Sequence, residues 1–362
     1  MIQHNRFDSD AKANMIAKGK KCIFALINKV VNHNLNFHTA MHIFDHAAAP
    51  IILYGSEIWN MPDLTSKKLS KFNDYQRIEE GFRDCAIERL QLQYLKSVLG
   101  VGKSTVTEAV YGETGRYPLY IKCFKQMINF WIHVKGANEK SLVFLAGQDN
   151  FKLANENKTC WGLGLKRILD YFGQSRAWEC GLPVTCTDKS YPFYFERAVR
   201  TNYDVFWQHK INKGLHEGGK LALYAKFKSN NSEEKYLSLP FWQRKYISKL
   251  RMSNHKLFIE TGRYGKERLD RDMRICKYCT LGVPEDEQHF LLDCPYYRLE
   301  RYDFLRIIAR FINIDTLSKE EITTEILKCQ NNELASAVGK FARLACDRND
   351  KVVGWVEHPR LG

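Results

Sequence analysis

The segment Arg274–Tyr297, RICKYCTLGVPEDEQHFLLDCPYY, carries Cys276, Cys279, His289 and Cys294 in the spacing Cys-x2-Cys-x9-His-x4-Cys. Two cysteines two residues apart can grip one ion from a tight turn, and a histidine with a third cysteine can close a tetrahedron. Three soft thiolates and one imidazole are the ligand set of a structural zinc site, closed and with no position left for a substrate water. The set therefore points to architecture and binding before chemistry. Gly282 and Pro284 supply a turn between its halves, and Phe290-Leu291-Leu292 gives the second half a short helix that Pro295 ends at Cys294. That ending matters, because residues five apart on a straight helix do not share a face. Cys294 meets His289 only where the helix stops. A redox Cys-x2-Cys and plain core thiols are the alternative readings. Three thiolates around one divalent ion leave a singly negative cluster, which Arg274, Lys277 and Arg298 are placed in sequence to offset.

Immediately upstream the chain turns basic. From Arg244 to Lys277 there are eleven lysines and arginines against Glu260, Glu267, Asp270 and Asp272, a balance of +7 and half of the whole chain's +14. Trp242, Tyr246, Tyr264 and Tyr278 are interleaved with them. Cations neutralise phosphates and aromatic faces stack unpaired bases, so RNA or DNA is the expected partner. Candidate contacts are Arg251, Arg263, Lys266, Arg268, Arg271, Arg274, Lys277 and Arg298. Gly262 and Gly265 flank Arg263, where the backbone can approach a ligand closely. A solvated helix face over core aromatics is the plainer reading of the same residues.

With 362 residues, 44% of them hydrophobic, the chain is long enough for two or three domains with real cores. Eleven cysteines, scattered and odd in number, fit a reducing compartment with thiols free or on metal. The polar start MIQHNRFDSDAKAN shows no signal peptide, so a nuclear or cytoplasmic, non-secreted location is expected. Cys22, Cys85, Cys123, Cys160, Cys180, Cys186, Cys329 and Cys346 read as buried thiols. The longest apolar stretch, Ala47–Tyr54, is interrupted by Pro50 and falls far short of the ~20 residues of a membrane span.

Helical periodicity dominates, and no strand-like alternation competes with it, so the fold class reads as mainly α. Helices are expected over 11–34, 39–49, about 67–99, around 121–132, 165–172, 193–216, 220–228, 233–252, 298–312, 318–330 and 332–346, with Ser104 capping a further short one. The region 137–192 reads as more irregular. Gly100-Val101-Gly102-Lys103-Ser104-Thr105 imitates the end of a phosphate-binding loop. The full pattern needs a glycine where Ser97 sits, and a strand where a helical stripe (Ile87, Leu90, Tyr94, Val98) runs. Lys103 is then expected to face solvent or a phosphate backbone.

In combination these motifs resemble a known family. Thr261–Arg301, with Glu285-Asp286-Glu287, His289-Phe290-Leu291 and Cys294-Pro295-Tyr296-Tyr297, is similar to the C-terminal region of non-LTR (LINE-type) retrotransposon reverse transcriptases. ILYGSEIW (Ile52–Trp59), LKSVLGV (Leu95–Val101), Glu113–Pro118 and Leu250–Tyr264 extend the likeness over most of the chain. The resemblance implies a thumb-like helical bundle over 1–100, a helical linker over 101–250, and a basic approach, CCHC zinc module and C-terminal helices over 251–362. It implies RNA or target DNA as partner, with a separate polymerase core as a further one. The family's polymerase holds magnesium with an aromatic-x-Asp-Asp motif, and this sequence contains no Asp-Asp pair. The expectation is therefore a non-catalytic zinc- and nucleic-acid-binding fragment. The alternatives are a zinc-stabilised protein-interaction scaffold and a retroelement remnant.

Overall fold

Ile87, Leu90, Tyr94 and Val98 recur at helical spacing, and all four are buried along the helix Ala86–Leu99 in the computed structural model. Gly100, at φ +71°, ends that helix. Its amide returns to the Ser97 carbonyl at 3.1 Å and the next amide, Val101, to Lys96 at 3.0 Å. This is the paired closure that a left-handed glycine makes possible. The structure describes residues 4–59, 85–217, 219–264 and 268–356, without the side chains of 4–9 and 350–356. The part 67–84 of the helix expected over about 67–99 and the candidates Gly265 and Lys266 lie outside the described residues. Within them the fold is mainly α, and the only extended pairings are two isolated bridges, Thr114 with Glu233 and Ile275 with Pro284.

The chain divides into two compact units that interleave along the sequence. One takes Met1–Leu26, His42–Tyr94 and Tyr117–Trp207; the other takes Ile27–Met41, Leu95–Arg116 and Gln208–Gly362. The three regions expected at 1–100, 101–250 and 251–362 are contiguous, whereas these units are not.

The first unit is built around the helix Leu119–Lys135, which buries Phe124, Met127, Ile128 and Trp131. Pro118 precedes it and has no side chain that can cap, so buried Glu88 accepts the Tyr120 amide at 2.7 Å instead. Trp131 stacks on Trp178 and meets Tyr191 edge-on. The region 137–192, read as more irregular with one helix at 165–172, holds three: Leu142–Asn155, Trp161–Tyr171, which covers most of the expected one, and Ser175–Glu179. The first escapes periodicity because its opening turn exposes Leu142, Val143 and Leu145. It approaches its neighbour through Gly147, where a Cβ would lie 2.2 Å from Val134 Cγ1.

In the second unit the helix Phe241–Arg251 packs on Asn332–Val356, and Phe304 of Arg298–Ile308 stacks on Phe341 with ring centroids 4.7 Å apart. Ser104 caps nothing, since the short helix begins later, at Thr107–Thr114, with Val106 before it. Gly112 lies inside that helix, and Gly115 closes it at φ +60°, where a Cβ would sit 2.5 Å from the Glu233 amide nitrogen. Ser318 and Glu321 form a reciprocal capping box at the start of Lys319–Lys328.

Among the remaining thiols, Cys123 and Cys329 are buried as expected, but Cys180 is exposed and Cys22, Cys85, Cys160, Cys186 and Cys346 are only partly covered.

Candidate metal centre and its basic approach

Ile275 and Pro284 pair as an antiparallel bridge, with the Cys276 amide on the Val283 carbonyl at 2.9 Å and the Glu285 amide on Arg274 at 2.9 Å. Gly282, at φ +65°, turns the chain between them. This small hairpin presents Cys276 and Cys279 from one side. From the other comes a single turn, His289–Asp293, whose start is held by Asp286: its Oδ1 accepts the His289 amide at 2.9 Å. The turn is wide. The Cys294 amide reaches back five residues to the His289 carbonyl at 2.8 Å, a π closure that replaces the four-residue step of an α-helix.

These elements bring all four ligand atoms within 4.8 Å of one another. Cys276 Sγ lies 3.9 Å from Cys294 Sγ, and Cys279 Sγ lies 3.4 Å from His289 Nε2. A tetrahedral ion bound at about 2.3 Å by sulfur and about 2.0 Å by nitrogen would set those edges near 3.8 and 3.5 Å. The donor set and its dimensions therefore fit a metal ion. Burial pushes the thiols of Cys276 and Cys294 above their ordinary range and holds the His289 imidazole below its own. Neutral imidazole is ready to ligate, while the thiols need a bound cation to ionise.

The residue that secures the wide turn is Arg301, which the charge pattern did not single out. It is 5% exposed and donates to the Cys294 carbonyl at 2.8 Å and the Phe290 carbonyl at 2.9 Å. Its cationic head thus sits on the backbone of the ligand Cys294, which acts on it electrostatically, a part expected for Arg274, Lys277 and Arg298.

The basic candidates separate into two groups. Arg251 is a correction: it is 1% exposed, in a bidentate pair with Glu113 at 2.8 Å for both contacts, with Glu234 at 3.2 Å and the Leu327 carbonyl as further partners. No phosphate can reach it. Tyr236 donates to the same Glu113 at 2.5 Å and lies 3.0 Å from Ser248. Burial alone would raise the Glu113 carboxyl; the Arg251 charge and hydrogen bonds, then Lys228 and Tyr236, hold it below the carboxylate range. Arg274 is a second correction. Its guanidinium is spent on the carbonyls of Leu269 and Ile259 at 2.7–3.1 Å. The close approach at Gly262 is also internal, since a Cβ there would lie 3.0 Å from Arg274 Cγ. Arg244, counted in the same run, is buried on the carbonyls of Leu239 and Leu35. A charge count cannot see this, because arginine is also the residue best suited to satisfy buried carbonyls and carboxylates.

The second group stays at the surface. Arg268, Arg271, Lys277 and Arg298 are exposed. Arg271 leans toward Asp286 at 3.6 Å, and Lys277 lies over the Phe258 ring at 4.0 Å. Arg263 is half-buried and paired with Glu260 at 3.0 Å. A cavity of about 300 Å³ opens beside the metal hairpin, lined by Ile259, Glu260, Arg263, Arg271, Asp286 and Glu287 among others. In the imitation phosphate loop the Gly102 amide already donates to Asn254 Oδ1 at 2.6 Å and so is not free for a phosphate. Among the described residues no helix is long and apolar enough to cross a membrane. No family model matches the chain, and no curated protein or solved structure matches it.

Proposed function

We propose that the chain is a non-catalytic zinc- and nucleic-acid-binding part of a LINE-type reverse transcriptase. In this reading Cys276, Cys279, His289 and Cys294 hold one Zn2+. The ion fixes the hairpin and the wide turn, and so fixes the surface on which Arg268, Arg271, Lys277 and Arg298 face RNA, single-stranded DNA or target DNA. A separate polymerase core would supply the chemistry, within a nuclear or cytoplasmic ribonucleoprotein. The observation that carries the reading is the convergence of three thiols and one imidazole within 4.8 Å, in a segment whose Arg268, Arg271, Lys277 and Arg298 are exposed.

Salt-titrated binding tests it. Single-stranded RNA should bind with a log–log salt slope that falls by about 1.4 in the Arg268→Ala/Arg271→Ala variant, two phosphate contacts at about 0.7 each. Absence of binding to RNA, single-stranded DNA and duplex DNA at low salt would remove the nucleic-acid reading. The interaction-scaffold reading draws on one observation: Leu299 and Tyr302 are 81% and 71% exposed on the helix Arg298–Ile308. It would be favoured by stoichiometric protein capture that survives nuclease treatment and is lost in Leu299→Ala/Tyr302→Ala.

A further inference from the structure

The loop that imitates a phosphate-binding motif gathers cations of its own. Lys96, at the end of Ala86–Leu99, donates to the Lys103 carbonyl at 2.7 Å, and Lys220 donates to the next carbonyl, Ser104, at 3.4 Å. Lys103 itself is exposed on the same loop. The ammonium groups of Lys96 and Lys220 thus meet at the short turn of backbone that carries Lys103. None of the three is ion-paired among the described residues. Glu108 acts electrostatically on Lys96 and Glu260 on Lys220, but Glu260 is committed to Arg263 at 3.0 Å. Lys96 is held below the usual lysine range first by burial and then by the charge of Lys220, so the like charges sense one another. An ammonium has three protons, and a single carbonyl satisfies one. Each group therefore has donors to spare for a second acceptor.

An aromatic face completes the cluster. Lys220 Nζ stands 5.4 Å from the centroid of the Tyr264 ring, and Tyr264 is 67% exposed. Of the aromatics interleaved in the basic run, Trp242, Tyr246 and Tyr278 are half-buried, with Tyr278 stacked on Tyr296. Tyr264 is the one among them that offers an open face.

We propose that Lys96, Lys103, Lys220 and Tyr264 form a seat for single-stranded nucleic acid, with the ammonium groups on consecutive phosphates and the Tyr264 ring against an unpaired base. The proposal rests on the nucleic-acid reading above and joins Tyr264 of the basic run to three lysines that lie outside it. A free nucleotide triphosphate is a poorer fit, because phosphate cradles use backbone amides and the Gly102 amide is taken by Asn254. A duplex is also poorer, since its bases are stacked on each other and leave Tyr264 without a partner.

The test is fluorescence anisotropy of the full chain with a labelled oligouridylate and its deoxy counterpart across a salt series. Lys103→Gln/Lys220→Gln should lower the log–log slope by about 1.4, the loss of two single-strand phosphate contacts. Lys103→Arg/Lys220→Arg should restore it. Tyr264→Leu should weaken binding roughly tenfold with the slope unchanged, the signature of lost stacking. In photocrosslinking with an iodouracil-containing strand, the adduct should fall on the peptide holding Tyr264. Wild-type binding with both variants unchanged in slope and affinity, or adducts confined to other peptides, overturns the seat and leaves the nucleic-acid reading standing. No binding by the wild-type chain overturns that reading and the seat with it.

Discussion

The Cys294 amide donates to the His289 carbonyl at 2.8 Å, and this five-residue step is what lets the two side chains meet. On a regular α-helix they would point to different faces. The π closure ends the helix and rotates Cys294 onto the imidazole side in one move. Inserting one alanine between Leu291 and Leu292 should therefore abolish metal retention, measured as metal content after gel filtration, while far-ultraviolet circular dichroism changes little. Full retention by the insertion variant would show that the turn does not set the ligand geometry.

Arg301 holds that turn by two carbonyls. Replacing it with glutamine leaves at most one of these bonds and removes the positive charge beside the thiolates. Loss of such an outer partner costs about 10- to 100-fold in metal affinity. Competition against a chelating dye should show that loss, with stoichiometry unchanged. Equal affinities would make Arg301 an ordinary packing residue.

The Arg251–Glu113 pair acts on stability and not on binding. Either Arg251→Met or Glu113→Gln leaves a buried group without its partner and should destabilise the chain by about 3–5 kcal/mol. Urea denaturation reads this. The salt slope for RNA should be the same as wild type for whatever fraction remains folded. A changed slope with unchanged stability would return Arg251 to the nucleic-acid surface.

The same pair fixes a pH window. Glu113 has its folded value held below its ordinary 4.5, so its contribution is complete above that value and lost as pH falls through the lower folded one. The stability gap between wild type and Glu113→Gln should be flat from neutrality down to about 4.5 and narrow below it. Taking the difference cancels the acid sensitivity of the metal ligands. A gap that stays flat or widens as pH falls below 4.5 would mean the carboxylate is not stabilised by Arg251.

Much of this was legible in the sequence where the physics is local. The ligands lie within nineteen consecutive residues, Cys276 to Cys294, so spacing alone brings them together. The stripe Ile87, Leu90, Tyr94 and Val98 is a one-dimensional signal for the same reason. The helix Leu142–Asn155 was not legible, since its first turn exposes the apolar side chains that periodicity expects to be inside. Arg251 and Arg274 were misread because their partners, Glu113, Ile259 and Leu269, are known only once the chain is folded. Arg301 sits seven residues past Cys294 and carries no pattern that marks it. The cations at Lys96, Lys103 and Lys220 are dispersed in sequence and meet only through the carbonyls of one loop.

The zinc content of the chain, purified without added chelator, tests the account most directly. One ion per chain is expected, falling to none in Cys276→Ser/Cys294→Ser, because a tetrahedral structural site does not survive the loss of two of its four ligands. A wild-type chain supplied with zinc that carries no more of it than the double variant would contradict the metal centre and everything arranged around it.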